Sequence, residues 1–146
     1  MQHRVNWGIA EPHAPAQTTP GRYAVTARYA GTTGVSASSA STSFSVVRAT
    51  TMKAAVSPRT VTSKAKAKVT VTVTASPKAT VTGKVTVKVY KGSRLVATKT
   101  ASLSRSAATV TLPKLAKGTY TVKASYAGSS SAAAATAKSL TVKVKR

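Results

Sequence analysis

The sequence predicts an all-β protein, an antiparallel β-sandwich of about seven strands preceded by the terminal hairpin of a partial copy of the same unit. Three features of the 146 residues carry this prediction. Apolar and polar residues alternate strictly in several short runs, of which 68–74 and 84–89 are the clearest. Gly, Pro and Ser separate the runs, where turns are required. An eleven-residue motif occurs twice, at 21–31 and 118–128.

Seven strands are predicted in the second part of the chain. Valine and threonine are β-branched residues that fit a pleated strand, and they fill most positions of the strongest runs. Each run has one apolar face, and two sheets packed face to face would bury that face in every strand. The predicted strands cover residues 52–56, 68–74, 84–89, 95–100, 108–112, 120–126 and 140–145.

The duplicated motif predicts how the chain is divided. Its two copies are identical at seven of eleven positions, lie 97 residues apart, and continue into further strands that we match as 43–48 and 139–144. This period is too long for a solenoid and is typical of an array of small domains. We therefore expect an irregular lead at 1–20, a truncated C-terminal hairpin of a preceding repeat at 21–48, and a complete domain at 49–146. Because an isolated hairpin is marginal in water, 21–48 should fray, dock on the second copy or pair with another chain.

The charge of the chain excludes most catalytic chemistry. Lys and Arg number 23 against one acid, Glu11, so the formal net charge is +22, and there is no cysteine. Paired-carboxylate catalysis, Asp-dependent triads, calcium cages and cysteine sites therefore lack their residues. We interpret His3 and His13 as solvent-exposed rather than metal-binding. The sequence predicts a protein that is not an enzyme and that holds no cofactor and no metal.

Neither a membrane span nor an export signal is visible in the sequence. No run approaches the roughly 18 apolar residues of a spanning helix, and residues 1–8 lack the apolar segment of a signal peptide. The first repeat also lacks its upstream strands. We therefore expect this chain to be the C-terminal part of a longer product, or the product of a misplaced start.

The second copy resembles the bacterial immunoglobulin-like repeats that occur in tandem in secreted and cell-surface proteins, particularly of actinobacteria. The resemblance covers 49–146 fully and 21–48 as a truncated copy, and its most specific element is the Leu-x-x-Gly-Thr-Tyr-Thr-Val sequence at 115–122 with Tyr-x-Gly at 126–128. It implies an immunoglobulin-like sandwich, an extracellular or cell-surface location, and a role as spacer, stalk or adhesin module. The chain departs from the pattern because residues 12–146 contain no Asp or Glu, so a calcium-rigidified stalk is not expected. The other segments that carry the resemblance are 56–62, 68–74, 83–92 and 112–114.

Strand parity places most of the tyrosines in the core. Tyr120 and Tyr126 share the parity of the valine between them, and Tyr120 is placed to form a tyrosine corner. Tyr23 and Tyr29 have the same parity in the first copy, whereas Tyr90 should be exposed at a strand end. A stacking platform for bases needs solvent-facing aromatic side chains. Nucleic acid is therefore the least favoured polyanion, although the charge leaves it open.

Five lysines form the candidate site. Alternation points Lys84 and Lys88 outward from the third predicted strand, Lys123 from the sixth, and Lys143 and Lys145 from the last. An immunoglobulin-like sandwich places these strands in one sheet with the sixth in the middle, so the five side chains would share one outer face. Lysine attracts polyanions as a point charge without geometric selectivity. The alternative is that these lysines only keep the surface soluble and block strand-to-strand aggregation.

These observations predict a non-catalytic spacer or adhesion module of an extracellular or cell-surface protein, with neighbouring repeats of the same parent chain as its partners. The alternative function is a polyanion-binding module that uses the lysine face, with an anionic cell-wall polymer, an anionic surface or nucleic acid as its ligand. A third class, an intracellular compactor of nucleic acid, fits the charge but not the strand pattern.

Overall fold

The structure is a computed structural model that describes residues 18–146. Most of the predicted lead, including His3, His13 and Glu11, lies outside the described residues. All regular structure in the described part is β-strand, and that part contains no helix long and apolar enough to cross a membrane. The strands are β1 (Gly21–Tyr29), β2 (Ser38–Val46), β3 (Ala49–Ser57), β4 (Thr60–Thr62), β5 (Lys68–Ser76), β6 (Lys84–Lys91), β7 (Arg94–Ser102), β8 (Ala107–Thr111), β9 (Gly118–Tyr126), β10 (Ala135–Thr136) and β11 (Leu140–Lys145).

Two sheets from residues 49–146 form the sandwich. One sheet has the order β3-β5-β8, and the other has the order β4-β11-β9-β6-β7 with the short β10 beside β9. All pairings are antiparallel except β11 with β4. The predicted immunoglobulin-like arrangement is confirmed, including the central position of β9 between β6 and β11.

The core lies between the two sheets and follows directly from the alternation. Val69, Val71 and Val73 of β5 are completely buried, as are Val85, Val87 and Val89 of β6 on the facing sheet. Tyr120 and Tyr126 close the core within β9, and both are buried. The cluster holds no buried polar or charged side chain among the described residues, so apolar burial is its main source of stability.

Two short strands were not expected from the sequence. Pro58 cannot donate to a strand ladder, so β3 ends at Ser57 and the chain crosses to the other sheet, where β4 pairs in parallel with β11. The second, β10, is an Ala-Thr dipeptide in a segment that we expected to be a loop, and it extends the edge of β9 for two residues.

The first 26 residues of the predicted partial copy form a separate two-stranded sheet. Strands β1 and β2 pair from Gly21 with Val46 to Tyr29 with Ser38. Tyr23 stacks on Phe44 with ring centroids 5.5 Å apart. The core-facing parity of Tyr29 does not bury it, because no second sheet formed by residues 18–146 covers this hairpin, and the side chain is 45% exposed.

The hairpin repeats the local structure of β9 to β11 at the spacing of 97. The Tyr23 hydroxyl donates to the Thr19 carbonyl at 2.6 Å, and the Tyr120 hydroxyl donates to the Ala116 carbonyl at 2.8 Å. Both are therefore tyrosine corners. Each copy of the motif ends in a Gly with positive φ, 83° at Gly31 and 89° at Gly128. The sequence similarity thus extends to backbone geometry.

One expected equivalence between the copies is wrong. We matched 43–48 with 139–144, which would align Phe44 with Leu140. In the structure Phe44 lies opposite Tyr23, and the residue opposite Tyr120 is Val142. The second copy therefore contains one more residue between β10 and the paired part of β11, which a comparison of strand patterns does not reveal.

Candidate polyanion-binding face

All five candidate lysines lie on the outer face of the larger sheet. Their side chains are exposed and alternate with buried valines on β6 and β11 and with buried residues on β9. The outer face of the other sheet carries mainly threonine, with Lys53 and Lys68 at its margins. The positive charge of the two sheets is therefore unequal.

Lys88 and Lys123 form the centre of the face. They lie directly opposite each other in the antiparallel pairing of β6 and β9, which places their Cβ atoms about 5 Å apart. The ammonium group of Lys123 lies 5.4 Å from the ring centroid of Tyr90, a cation–π contact on the solvent side of the sheet. Like charges in opposing positions destabilise a sheet, so this pair costs stability that a Thr pair would not.

A depression beside this pair could hold an anionic group. It has a volume of about 350 Å³ and arises where β10 leaves the edge of β9 and the chain returns as β11. Two lysines and four residues with hydroxyl groups line it, and the Ser125 hydroxyl donates to the Thr86 carbonyl at 3.5 Å. Ammonium and hydroxyl groups are donors that suit a phosphate or a carboxylate. We call it the lysine depression, and its polar lining residues are Lys88, Tyr90, Lys123, Ser125, Thr136 and Ser139.

The other three candidate lysines lie away from the depression. Lys84 is four residues from Lys88 along β6, a distance of about 13 Å at the rise of an extended strand. Lys143 pairs with Thr119, four residues from Lys123 and in the opposite direction. Lys145 lies further out, next to Thr62 of β4. The structure therefore brings together two of the five, and the others extend along a diagonal across three strands.

The sequence did not reveal the lysine depression for a specific reason. Alternation assigns a side chain to a face but does not give the register between strands, and register decides which lysines are neighbours. The extra residue before β11 also brings Ser139 to the rim. The Ala-Thr pair at 135–136 looked like loop sequence, yet Thr136 supplies one of the hydroxyls.

Groups that support metal binding are missing from residues 18–146. No three His, Cys, Asp or Glu side chains come together there. The histidines interpreted as solvent-exposed, His3 and His13, lie outside the described residues. The chemistry available on the described surface is therefore that of ammonium and guanidinium groups with hydroxyl donors.

Two of the comparisons with known proteins find matches. A family model described as bacterial Ig-like domain (group 3) matches residues 54–145. The solved structures that are similar include the CARDB domain of a Pyrococcus furiosus protein in complex with di-metal ions, at 19% identity and a TM-score of 0.40, covering 65% of this chain and 91% of that one. No curated protein matches the chain.

Proposed function

The chain belongs to the bacterial Ig-like domain family (group 3), and on that basis we propose that it is a non-catalytic spacer or adhesion module of an extracellular or cell-surface protein. In this role the domain holds neighbouring repeats of one chain in a fixed order. Fibrous and surface arrays of small β-domains need short connections, because a flexible linker would let each domain rotate independently.

The junction between hairpin and sandwich is the observation that carries this proposal. Only Val47 and Arg48 separate β2 from β3. The Arg48 amide donates to the Ser131 carbonyl at 3.0 Å, and the Ala133 amide donates to the Arg48 carbonyl at 2.9 Å. The Thr50 hydroxyl adds a bond to the Ala133 carbonyl at 2.8 Å. The connection is thus held to the β9–β10 loop by backbone bonds, which favours a semi-rigid join.

Spin-label distance measurements test the rigidity of this junction. The chain has no cysteine, so Thr33→Cys at the hairpin tip and Ser93→Cys at the far end of the sandwich provide two unique labelling sites. A spacer predicts one narrow distance distribution between the labels. A variant with two glycines inserted after Val47 is the control and should broaden it. A broad distribution in the parent, equal to that of the insertion variant, would refute the spacer.

A second candidate function is polyanion binding through the lysine face, and the lysine depression favours it. Two lysines and several hydroxyl-bearing residues around one depression are more than solubility requires, since isolated exposed lysines achieve that. In this function the depression would hold one anionic group of a cell-wall polymer or other polyanion, and Lys84, Lys143 and Lys145 would contact its continuation along the diagonal.

Two variants of equal charge test this candidate. One carries Lys88→Gln and Lys123→Gln, and the other carries Lys53→Gln and Lys78→Gln, which lie away from the larger sheet's outer face. Short inorganic polyphosphate is titrated into each at about 0.15 M salt by calorimetry. We expect the first variant to lose affinity about tenfold relative to the second. Equal loss in both would mean that the face has no site of its own.

A further inference from the structure

A second basic surface lies at one end of the sandwich and shares only Lys145 with the lysine face. The loops and strand ends at this end carry nine Lys and Arg residues, whereas the end that joins the hairpin carries four, namely Arg48, Lys78, Lys84 and Arg105. We call the first end the basic pole. Its residues are Lys64, Lys66, Lys68, Lys91, Arg94, Lys114, Lys117, Lys145 and Arg146.

Strand register brings these residues to the same end. Lys68 begins β5 opposite both Ser57 and Thr111, the last residues of β3 and β8. In the other sheet Lys91 pairs with Arg94 across the β6–β7 turn. Four connections therefore meet at the pole: the 63–67 turn, the β6–β7 turn, the β8–β9 loop at 112–117, and the end of β11.

Hydrogen bonds hold the four connections against one another. The Ser63 amide donates to the Lys145 carbonyl at 3.1 Å, and the Leu112 amide donates to the Ala67 carbonyl at 2.8 Å. The Lys91 ammonium donates to the Lys117 carbonyl at 3.3 Å. The same ammonium group lies 5.8 Å from the centroid of the Tyr120 ring, so a cation–π contact joins the pole to the tyrosine corner. The backbone of the pole is therefore set before any ligand arrives, which lowers the entropy cost of binding.

The charge of the pole has no internal neutralisation. Residues 12–146 contain no Asp or Glu, so no acidic side chain in the described part of the chain can pair with these cations. Such a concentration of one sign produces a potential that attracts anions over about a Debye length, 8 Å at physiological salt. Solubility alone would be served equally well by an even distribution over both ends.

The chemistry of the pole selects among anionic partners. Seven of its nine cations are lysines, whose ammonium groups accept any orientation of a phosphate, unlike the guanidinium fork. Of the aromatic residues near the pole, Tyr120 is buried, and Tyr90 lies on the outer sheet face with the Lys123 ammonium over its ring. Neither offers a free stacking surface for bases at the pole. Leu95, the exposed apolar residue closest in sequence to the β6–β7 turn, pairs with Tyr90 and so lies on the sheet face instead of the tip. The pole therefore suits a hydrophilic phosphate polymer better than a base-bearing strand or a bilayer.

We propose that the basic pole binds a flexible phosphodiester polymer that lacks bases, such as a chain of polyol phosphates. Successive phosphates contact Lys64 and Lys66 on one side of the pole and Lys114 and Lys117 on the other. The pole lies at the end away from the hairpin junction. This inference does not depend on the lysine depression, which is formed by other residues.

A variant pair of equal net charge tests the proposal. The pole variant carries Lys64→Gln, Lys66→Gln, Lys114→Gln and Lys117→Gln, all in loops, so the strands stay intact. The control carries Lys53→Gln, Lys78→Gln, Lys99→Gln and Lys138→Gln, which lie elsewhere. A labelled glycerol phosphate oligomer of about twelve units is titrated by fluorescence anisotropy over a range of salt concentrations. Thermal melts establish that both variants fold.

Counterion release sets the expected result. Each lost phosphate contact makes the slope of log affinity against log salt shallower by about 0.7. The slope of the pole variant should therefore be shallower than that of the parent by about 3, and its affinity should be about 200-fold lower at about 0.15 M salt. The control should lose about threefold or less. Equal losses in the two variants, or no binding by the parent, would overturn the proposal.

Three further arms separate the remaining possibilities. The Lys88→Gln, Lys123→Gln variant should bind the oligomer nearly as well as the parent. If this variant lost binding and the pole variant kept it, the binding site would be the lysine depression and the proposal would be overturned. Single-stranded DNA of equal charge binding about tenfold tighter than the oligomer would contradict the assignment to a polymer without bases. Vesicles of anionic phospholipid that bind the pole while the oligomer does not would overturn it in favour of a membrane. None of these outcomes bears on the proposed spacer function, which the spin-label experiment tests separately.

Discussion

Replacing Lys88 with glutamate should make the sandwich more stable. Lys88 lies directly opposite Lys123 in the antiparallel register of β6 and β9, and its other neighbour across the β6–β7 pairing is Thr98. Opposite charges in facing positions contribute about 0.2–1 kcal/mol, and like charges cost a similar amount. Reversing one sign of the pair therefore removes a repulsion and adds an attraction. The expected gain is about 1 kcal/mol in the free energy of unfolding.

The matched control for this substitution is Lys53→Glu. It changes the net charge by the same amount, but Lys53 is on an edge strand and faces Thr72, so no opposing lysine is present. Urea denaturation at low salt should show Lys88→Glu more stable than Lys53→Glu by about 1 kcal/mol. The difference should vanish when Lys123→Gln is added, and it should shrink at about 1 M salt because screening then acts over about 3 Å.

Two outcomes would refute this reasoning. If both glutamate variants gained equally, the effect would come from the reduced net charge and not from the pair. If the gain of Lys88→Glu survived both high salt and the loss of Lys123, its origin would not be electrostatic. The expected outcome also links stability to function, because the same substitution should weaken polyphosphate binding at the lysine depression while it strengthens the fold.

Three further predictions concern the fold and its duplicated motif. Tyr120→Phe removes the hydroxyl bond of the tyrosine corner and should lower the free energy of unfolding by about 1 kcal/mol in urea denaturation, and no loss would mean that the corner is not a stabilising contact. Gly128→Ala should lower the free energy of unfolding by about 1–3 kcal/mol, because φ at Gly128 is 89° and a Cβ would lie 3.1 Å from a backbone oxygen. Gly92→Asn should be nearly neutral in the same assay, because Gly92 has φ of 60° and no atom near the position of a Cβ. Val122→Ala should lower the free energy of unfolding by about 2–3 kcal/mol because the side chain is fully buried. Val25→Ala, at the same position of the motif but 41% exposed, should lower it by about 0.5 kcal/mol or less. Equal losses would mean that the hairpin is covered in solution.

Much of the fold could be predicted because its strands alternate so strictly. Valines occupy the alternate positions at 69–73 of β5 and 85–89 of β6, and all six are buried. Period-two patterning alone therefore predicts both strands and their inner faces. The tyrosine corner also followed from parity and position, since Tyr120 is near the start of β9 and its hydroxyl reaches back to the Ala116 carbonyl before the strand. These features depend only on local sequence and on the need to bury one face of each strand.

The features that escaped prediction depend on how distant segments meet. Strand β4 exists because the chain changes sheets after Pro58, and nothing local in Thr-Val-Thr specifies a parallel partner near the end of the chain. The lysine depression requires the register of β9 against β6 together with one added residue before β11. The basic pole requires four connections to converge, which the sequence shows only as scattered lysines between strands.

The distribution of lysines bears on whether their charge serves binding or solubility. Protection against aggregation predicts that charges are placed on edge strands, where unpaired backbone groups could recruit another chain. Lys53 on β3 and Lys99 on β7 fit that role. Lys123 does not, because β9 is central and already paired on both sides.

The basic pole departs from the solubility explanation in a second way. It groups nine cations where hydrogen bonds fix the backbone, and repulsion among them works against folding. A solubility device would gain nothing from that arrangement, since charges on the edge strands block aggregation and most of the pole consists of loops and turns. An anion-binding surface needs it, because the energy of counterion release grows with the number of phosphates contacted at once. The charges on the edge strands and those at the pole therefore have different physical explanations, although the same residue type supplies most of both.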